Sequence, residues 1–396
     1  MKILFITNRI PYPQNDGGSL AMYAMMKGLK EAGAELSLFS LNTNKHYVNP
    51  KELPDSFISL FEETSYASIN TGVTGFGAFK NLFTKQSYNI SRFESTSVRT
   101  KLNQFLEGRS FDMVQYEGLY VSMYVGQVKA LLPTTKQVLR CHNLEYEIWE
   151  RRAVNSSGIK KQYIKLLAKR LKKYELDTLP YFDALIPVSE RDKQIFNKLC
   201  DVQQFVAPIG LDVVKSETIF HKKNHFFFLG SLDWKPNLKG LIWFIENCWI
   251  PFYKDNSSQR FIIAGKSIPD SVNKYDYKNG IQVVGEVTDA TSFMISQGVM
   301  VVPLFSGSGT RVKIIQAMLL GKCVLSTTIG AEGIPVNKGK DILLGDTADE
   351  LLMEMNQLEE EKVKEIGIVA KKKASEYYDL TRISEALFIF YDGITS

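Results

Sequence analysis

Short apolar runs separated by longer amphipathic segments set the strongest limit on what this chain can fold into. The first half contains "KILFIT", "ELSLFSL", "DMVQYE", "KQVLRCH" and "ALIPVS", and the second half contains "HFFFLG", "RFIIAG", "IQVVGE", "GVMVVPL" and "KCVLSTT". Strands that are buried on both faces read as continuous apolar runs, and helices between them connect parallel strands by right-handed crossovers. The pattern predicts an α/β protein in which this construction occurs twice.

The length of the chain indicates two domains, because 396 residues exceed what one hydrophobic core usually serves. The strand and helix rhythm pauses in residues 207–224, where a proline and a glycine precede a polar stretch. We therefore expect an amino-terminal domain over 1–207 and a carboxyl-terminal domain over 208–378, both Rossmann-like, whose mostly parallel sheets face a central cleft. A final helix over 379–396 is expected to pack on either domain, including by crossing back to the first.

Composition narrows the class of protein and its compartment. Hydrophobic residues make up 44% of the chain and charged residues 23%, which is typical of a globular protein. A net charge of +5 from nearly balanced acids and bases argues against nucleic acid as a partner. The cysteines are scattered without CxxC spacing and are expected to be free thiols. No apolar run approaches the roughly 20 residues that cross a bilayer, and "MKILFIT" is too short for a signal peptide, so a cytoplasmic location is expected.

In parallel sheets ligands bind at the carboxyl ends of strands, and four such ends carry candidate residues. The first is "ITNRIPYPQNDGGSLAMYAMM", where Gly17 and Gly18 precede a helix that is expected to begin near Ser19. A glycine pair at a helix start lets an anion approach the backbone closely. A cap formed by Asp16, with the glycines serving a tight turn, explains the same residues equally well.

The second strand end is "RCHNLEYEIWERR", which places His142 directly after a predicted strand. An imidazole in this position can donate a hydrogen bond to a ligand hydroxyl. A histidine that caps the following helix is an equally good explanation. Glu145 and Glu147 follow, and they favour the first turn of that helix.

The third strand end is "FFFLGSLDWKPNLKG", where a predicted strand ends at Gly230 and Ser231. Lys235 and Lys239 follow, and a cation just past a strand end can meet a phosphate as a point charge. Surface lysines on a loop remain the alternative.

The fourth strand end is "LFSGSGTRVKIIQAMLLGK", and it is the most specific of the four. Its small residues supply backbone N–H groups that can form an anion-binding nest. Arg311 and Lys313 then place positive charge in the first turn of a predicted helix, where the helix dipole disfavours it. Natural sequences accept such a conflict mainly where a ligand compensates for it, so this helix start is predicted to hold phosphate, most simply a diphosphate.

These residues also carry a family resemblance. The order "GSGTRVKIIQAMLLGKCVLSTTIGAEGI" resembles the carboxyl-terminal signature of the family 4 glycosyltransferases, retaining enzymes of the GT-B fold. The glycine-containing first loop, "HNLEYEIWE", "FLGSLDWKPN" and "VVGEV" are similar to that family and follow its order, whereas residues 42–110 match no motif of it.

The resemblance implies roles for individual residues. Gly17 and Gly18 would face the donor diphosphate, and His142 would hydrogen-bond the donor sugar. Arg311 and Lys313 would neutralise the leaving diphosphate. The remaining donor contacts implied are the base pocket at Gly285, Glu286 and Val287, the ribose at Gln316, and the phosphate loops at Gly230, Ser231, Lys235, Lys239, Ser308, Gly309 and Thr310. No cofactor is implied, and the chain contains no DxD motif, so a metal-independent reaction is expected.

Two departures from the family pattern bear on activity. Many members carry two glutamates eight positions apart where this chain has Ser308 and Gln316, and Gln316 keeps hydrogen-bonding capacity for ribose but loses charge. Ser231 stands where an arginine is usual, which leaves the choice between Lys235 and Lys239 open.

The implied function is retaining transfer of a sugar, of the hexosyltransferase type, from a nucleotide diphosphate sugar to a hydroxyl of a glycan or lipid-linked acceptor. Cell-envelope or exopolysaccharide assembly is the expected setting. The alternatives are a nucleotide-sugar-binding partner without catalytic activity and a GT-B nucleotide-sugar epimerase, which would need acid and base carboxylates. The absence of a third glycine in the first loop disfavours a dehydrogenase.

One further segment, residues 151–175, concentrates Lys and Arg on a predicted helix. A basic amphipathic helix can bind an anionic membrane surface, which would place the protein at the inner face of the cell membrane. The alternative is a solvated helix face whose apolar side chains, Tyr163, Leu166, Leu167 and Leu171, point inward.

Overall fold

The computed structural model describes residues 1–154, 156–213, 225–307 and 310–396. The chain divides into two compact units. The amino unit contains Met1–Gly210 together with Leu380–Ser396, and the carboxyl unit contains Leu211–Asp379. The division lies a few residues after the expected one at 207 and one residue after the expected one at 378.

The amino unit is built on a parallel sheet of seven strands within the described residues, in the order β3-β2-β1-β4-β5-β6-β7. The central strands are apolar on both faces, since Ile3, Leu4, Phe5 and Ile6 are fully buried. Continuous burial is what helices on both sides of a parallel sheet require. The strands are β1 (Lys2–Thr7), β2 (Glu35–Thr43), β3 (Glu63–Ile69), β4 (Met113–Glu117), β5 (Lys136–Cys141), β6 (Ala184–Pro187) and β7 (Gln203–Gln204).

Helices connect these strands. The first one begins at Gly17, two residues earlier than expected, because Asp16 caps it. The helices are α1 (Gly17–Glu31), α2 (Asp55–Ile58), α3 (Gly75–Leu82), α4 (Tyr88–Ser91), α5 (Thr96–Leu106), α6 (Val125–Leu131), α7 (Glu145–Val154), α8 (Gly158–Thr178) and α9 (Glu190–Phe196).

The basic segment 151–175 was predicted as one helix, and this prediction is wrong. The residues belong to two helices, α7 and α8, and Gly158, the first residue of α8, adopts a φ of 57°, which does not continue a regular helix. Leu167 and Leu171 are buried as the inward-facing alternative expects, whereas Tyr163 and Leu166 are only half-buried.

The carboxyl unit repeats the construction with a parallel sheet of six strands in the described residues, in the order β10-β9-β8-β11-β12-β13. Its strands are β8 (His225–Leu229), β9 (Arg260–Ala264), β10 (Ile281–Gly285), β11 (Val299–Val302), β12 (Val324–Ser326) and β13 (Leu343–Leu344). Its helices are α10 (Lys235–Phe244), α11 (Ile250–Asp255), α12 (Asp270–Asn273), α13 (Ala290–Ser296), α14 (Val312–Leu319), α15 (Ala348–Asn356) and α16 (Glu360–Tyr378).

The last helix, α17 (Leu380–Thr395), belongs to the amino unit and packs on α1. Its contact is close at Gly28, where a Cβ atom would lie 1.9 Å from Ser384 Oγ. Leu387 and Tyr391 are fully buried against the amino-unit core. The helix therefore completes the unit in which the chain began.

Two further features concern the chain as a whole. All four cysteines, Cys141, Cys200, Cys248 and Cys323, are free, as expected. Among the helices that the structure describes, none is both long enough and apolar enough to cross a bilayer.

Candidate functional site

His142 follows β5 directly and is held by a buried carboxylate at the end of the neighbouring strand β4. His142 Nε2 lies 2.7 Å from Glu117 Oε2, and the Glu117 side chain is inaccessible to solvent. The imidazole keeps about a fifth of its surface exposed. The adjacent carboxyl ends of two parallel strands thus hold a partly accessible histidine in one orientation.

Glu117 is embedded in a buried polar network. Gln115 Nε2 donates to Glu117 Oε1 over 2.6 Å, and the Tyr391 hydroxyl donates to Gln115 Oε1 over 2.5 Å. Arg140 Nη1 lies 3.6 Å from Glu117 Oε2 and donates to the Ala21 carbonyl oxygen over 2.9 Å. Burial raises the pKa of the Glu117 carboxyl, but the Arg140 charge and the hydrogen bonds from His142 and Gln115 outweigh it, so this pKa lies below its ordinary value.

The ionised carboxylate fixes the hydrogen position on the ring. Because a carboxylate can only accept, Nε2 of His142 must carry the hydrogen that it shares with Glu117. The neutral imidazole then offers Nδ1 as an acceptor, and only the imidazolium form donates from Nδ1. A sugar hydroxyl that meets the neutral ring at Nδ1 would therefore be the donor, which is the reverse of the direction expected from the sequence.

The backbone at position 118, beside His142, favours glycine. Its φ is 92°, which a residue with a side chain rarely adopts, whereas a Cβ atom there would make only an ordinary contact with His142 Cδ2 at 3.4 Å. The sequence pattern drew attention to His142 alone. A charged residue followed by glycine at the end of the buried run "DMVQYEG" was the available signal for Glu117 and Gly118.

The start of α1 is occupied by its own cap. The Asp16 carboxylate accepts hydrogen bonds from Gly18 N at 2.9 Å and Ser19 N at 3.1 Å, and it pairs with Arg9 at 2.6 Å. Burial opposes the ionised form, yet Arg9 and the two N–H donors hold the pKa of Asp16 below its ordinary value. This is the cap that the sequence allowed as an alternative. The donor roles of Gly17 and Gly18 stay predictions.

The start of α7 is capped by Glu175 of α8 rather than by His142. The Glu175 carboxylate accepts from Glu145 N at 3.2 Å and Tyr146 N at 3.1 Å. Glu145 is itself buried and accepts from the Tyr120 hydroxyl at 2.7 Å. Burial and the neighbouring Glu145 charge raise the pKa of Glu175 to about 8, and burial also raises the pKa of Glu145. Glu147 pairs instead with Arg191 at 2.7 Å.

In the carboxyl unit, glycines stand at the ends of three neighbouring strands. Gly230 follows β8, Gly265 follows β9 and Gly285 ends β10. Gly230 N donates to the Ala264 carbonyl at 3.1 Å, and Gly265 N donates to the Gly285 carbonyl at 2.8 Å. A Cβ atom at Gly265 would lie 1.7 Å from the Gly230 carbonyl oxygen, so the close approach of these two strand ends requires glycine at position 265. Of these, Gly265 was not among the residues predicted from the sequence.

Trp234 connects the loop after β8 with the loop before α14. The Arg311 guanidinium carbon lies 5.6 Å from the centroid of the Trp234 ring, a cation–π contact. A Cβ atom at Gly307 would lie 2.9 Å from the same ring and 3.0 Å from an Arg311 nitrogen. The third and fourth predicted strand ends therefore meet, and Trp234 is a further residue that sequence reasoning missed.

Positive charge gathers beside the start of α14. Burial lowers the pKa of Lys313, and the nearby charge of Lys266 lowers it further. Lys266 pairs with Glu286 at 3.0 Å, so the acidic residue after β10 faces this cluster with its side chain. The family resemblance had implied a place for Glu286 in the base pocket, and this role stays a prediction. The side chain of Arg311, the N-cap residue of α14, forms no capping hydrogen bond.

The remaining predicted residues have ordinary local roles or lie outside the described residues. Ser231 Oγ donates to Asp233 Oδ1 at 2.6 Å, while Lys235 begins α10 beside Trp234 and Lys239 lies one turn later. Both lysines are exposed. Val287 is half-buried just after β10, Thr310 Oγ1 lies near Gly333, and Gln316 is half-buried in α14. Ser308 and Gly309 lie outside the described residues.

No group of three or more His, Cys, Asp or Glu side chains placed to hold a metal ion occurs in the part of the chain that the structure describes.

Parts of this chain are similar in sequence to known proteins. Residues 223–361, which include the start of α14, match the family model "Glycosyl transferases group 1". An uncharacterized 44.6 kDa protein in the cps region of Klebsiella pneumoniae is 23% identical, with 98% of this chain and 99% of that protein aligned.

Solved structures resemble the whole chain at low sequence identity. HepE of Anabaena, in complex with UDP and glucose, matches with a TM-score of 0.66 and 14% identity over 99% of this chain and 100% of its own. Sucrose-phosphate synthase from Thermosynechococcus elongatus matches with a TM-score of 0.70 and 13% identity over 100% and 99%. Two sheets of parallel strands matched to such structures define the GT-B fold. The fold is therefore GT-B, and residues 223–361 are similar to the group 1 glycosyltransferases.

Proposed function

We propose that this protein is a retaining glycosyltransferase that moves a sugar from a nucleotide diphosphate sugar to a hydroxyl of a glycan or lipid-linked acceptor. The observation that carries the proposal is the cluster of Arg311, Lys313 and Lys266 at the start of α14, because it lies inside the segment that matches the group 1 family model. Buried or stacked cations at a helix start are placed to bind an anion.

The relatives support the donor class and the setting. HepE of Anabaena was solved with UDP and with UDP-glucose, which makes uridine nucleotides the first donors to test. The Klebsiella pneumoniae relative belongs to a cps region, which supports a role in surface polysaccharide assembly. We retain a family 4, hexosyltransferase-type activity without a metal as the finer form of the proposal. Its control is activity that persists in the presence of EDTA.

The proposed reaction forms one bond and breaks one bond at the anomeric carbon. The acceptor oxygen bonds to that carbon on the face from which the diphosphate leaves, and the bond from the carbon to the phosphate oxygen breaks. The acceptor proton passes to an oxygen of the leaving phosphate. Arg311 and Lys313 would stabilise the negative charge that develops on the diphosphate, a contribution that commonly amounts to about 100- to 1000-fold in rate for one such group.

Lys313 is suited to this task because its burial is costly for a charged amine. Burial and the Lys266 charge lower its pKa, so the unliganded unit holds Lys313 in an environment that disfavours its charge. A bound diphosphate would supply the missing negative charge and favour the ammonium form. Lys235 is the stronger candidate of the two loop lysines for a second phosphate contact, since it adjoins Trp234, which contacts Arg311.

In the amino unit, we assign His142 to the donor sugar, with Glu117 as a positioning residue that holds the ring. Gly17 and Gly18 would lie near the donor only if the Asp16 carboxylate, which accepts from Gly18 N and Ser19 N, releases Gly18 N or leaves space beside the glycines. The base pocket is assigned to Gly285, Glu286 and Val287, and ribose to Gln316.

A thermal-shift panel of UDP, GDP, ADP and their sugars tests the proposal. A ligand at 100 times its dissociation constant stabilises the native state by about 2.7 kcal/mol, which raises the melting temperature by several degrees. We expect stabilisation by one nucleotide class in the wild type, its loss in Arg311→Ala, and its retention in Arg260→Ala, which removes an arginine that donates to the nearby backbone carbonyls of Ser257 and Gln259.

Turnover with the stabilising donor then separates an enzyme from a binding-only partner. Release of the nucleotide diphosphate together with a glycosylated acceptor supports transfer, and Arg311→Ala should lower that rate about 100- to 1000-fold. Donor binding without turnover across a broad acceptor panel would favour the non-catalytic partner. Formation of a new free nucleotide sugar without acceptor would instead identify an epimerase. Absence of stabilisation by every nucleotide would overturn the phosphate site.

A further inference from the structure

Helix α3 presents an exposed phenylalanine face on the amino unit. Phe76, Phe79 and Phe83 recur at intervals of three and four residues, so they share one face of the helix and its end. They are 80%, 59% and 79% exposed. Phe79 and Phe83 contact each other edge to face at 5.4 Å between ring centroids. Large aromatic side chains grouped in this way on a surface indicate a site that contacts a membrane or another molecule.

The helix is fixed to a basic neighbour. Arg170 of α8 donates from Nη1 to the Asn81 carbonyl at 2.8 Å and from Nη2 to the Leu82 carbonyl at 3.2 Å, which caps the carboxyl end of α3. Asn81 is buried on the opposite side of α3 from the rings. The helix that bears the phenylalanine face is therefore hydrogen-bonded to α8 and is not part of a free loop.

The solvent face of α8 carries a row of lysines. Lys165, Lys169 and Lys173 recur every four residues, and all three are exposed. At about 100° per residue, this row lies on the side of the helix away from its buried residues Leu167 and Leu171. Lys173 pairs with Asp177 at 2.6 Å, whereas Lys165 and Lys169 have no ion pair within the described residues.

The charged residues of the two segments are all basic. Residues 64–93, which contain α3, include no Asp or Glu, and neither do residues 151–174, which contain most of α8. The second segment holds nine Lys and Arg residues. A molecule or surface that contacts both segments must therefore be apolar where it meets the rings and negatively charged around them.

We infer that α3 and the lysine row of α8 form a docking surface for an anionic lipid bilayer. The rings would enter the boundary between headgroups and acyl chains, while the lysines would contact lipid phosphates. With eight residues, α3 is too short to hold to a membrane by itself, and the Arg170 cap supplies its rigid support. The surface lies within the amino unit and involves none of the donor residues, so it can be tested apart from the proposed sugar transfer.

Vesicle flotation tests the inference. The full-length protein is mixed with phosphatidylcholine vesicles, with or without phosphatidylglycerol, and its vesicle-bound fraction is measured. We expect binding only to the anionic vesicles, with loss at high salt. Each lysine removed should lower the partition coefficient about five-fold, and each phenylalanine replaced by serine about ten-fold or more.

Matched variants make the test specific. Phe76→Ser/Phe79→Ser and Lys165→Glu/Lys169→Glu should stop flotation, and because these side chains are exposed, the melting temperature should stay near the wild-type value. Ile389→Ser, at an exposed apolar position of α17, and Lys338→Glu/Lys340→Glu in the carboxyl unit should float like the wild type.

Three results would overturn the inference. A wild type that binds no vesicle would exclude a lipid bilayer as the occupant. The phenylalanine variant could float as well as the wild type, which would place the contact elsewhere. Alternatively, light scattering could show a dimer that Phe76→Ser/Phe79→Ser dissociates while vesicles bind nothing, which would identify a second copy of the chain as the occupant.

Discussion

At the scale of single residues, the position of His142 depends on buried polar side chains. Glu117 accepts from the imidazole, Gln115 supports Glu117, and Arg140 supplies the neighbouring charge. The sequence indicated the histidine because histidine is rare in this chain and stands at a strand end. It could not indicate the partner, because a glutamate at the end of an apolar run is equally compatible with a solvated loop.

Replacement of Glu117 by glutamine should lower turnover, because the amide can also present its NH₂ group to the ring and then no longer holds His142 in one orientation. We expect kcat to fall about ten-fold or more, with a smaller change in KM for the donor. The measurement is kcat and KM for both proteins.

The matched control is Glu147→Gln, which removes a glutamate that pairs with Arg191 at the surface of the same unit. Because Arg140 stays buried beside position 117, Glu117→Gln should also lower the melting temperature. Activity should therefore be assayed well below the melting temperature of the variant. A kcat equal to that of the wild type would mean that Glu117 does not position His142.

At the scale of helices and strands, the apolar runs predicted most of the architecture. Each of the ten runs contains a strand of one of the two sheets. The missed strands are β3, β7 and β13, which lie at or beside sheet edges. The sequence of β3, "ETSYASI", is largely polar because an edge strand has fewer neighbours to bury it, and β7 and β13 have only two residues each.

The sequence was least informative where helix starts use side chains from distant residues. The cap of α7 comes from Glu175, some thirty positions later, so no local pattern could reveal it. At α14 the cations stand close to the helix start, and a short window was sufficient to predict them. The meeting of Trp234 with Arg311 joins two loops far apart in sequence and needed the fold.

The acid that caps α7 should make stability depend on pH. The pKa of Glu175 is raised from 4.5 to about 8 by burial and by Glu145, so the folded protein holds a proton that the unfolded chain releases above its own pKa. The free energy of unfolding should therefore be highest below about pH 4.5 as far as this group is concerned, and its contribution should decline by a few kcal/mol as pH rises to about 8.

Glu175→Gln removes this titration while keeping one acceptor oxygen for the α7 N–H groups. The difference in melting temperature between variant and wild type should shift in favour of the variant as pH rises from about 5 to about 8. Glu376→Gln, at an exposed position of α16, is the control and should show no such trend. A constant difference across this range would mean that Glu175 is ionised in the folded protein.

At the scale of the whole molecule, the chain forms two units, and its last helix returns to the first of them. Length and the pause in residues 207–224 indicated the two units, whereas the sequence left open which of them would receive α17. That choice depends on shape. Gly28 of α1 leaves the space that Ser384 of α17 occupies.

This contact predicts a double-mutant cycle. Gly28→Ala would place a methyl group 1.9 Å from Ser384 Oγ and 2.8 Å from its Cβ, so it should destabilise the protein by about 1–3 kcal/mol although alanine favours helix. Ser384→Gly alone should cost about 1 kcal/mol or less. The double variant should regain most of the loss, because the new methyl group enters the vacated space.

Gly393→Ala is the control within α17. A Cβ atom there meets no atom within 4 Å, so the substitution should be neutral or stabilising by up to about 1 kcal/mol. Urea unfolding monitored for all four proteins gives the coupling energy between positions 28 and 384. Additive effects of the two substitutions would show that α17 does not dock on α1 in solution.

The return of α17 has a consequence for synthesis on the ribosome. The amino unit starts to emerge from the ribosome first, yet one of its residues, Tyr391, is translated only after the entire carboxyl unit. The Tyr391 hydroxyl donates to Gln115, which in turn donates to Glu117. A nascent chain must therefore keep a vacant, apolar groove on α1 while the second sheet is still being made. The unit that begins first is completed second, so the His142 network reaches its final form only after the carboxyl unit has been translated.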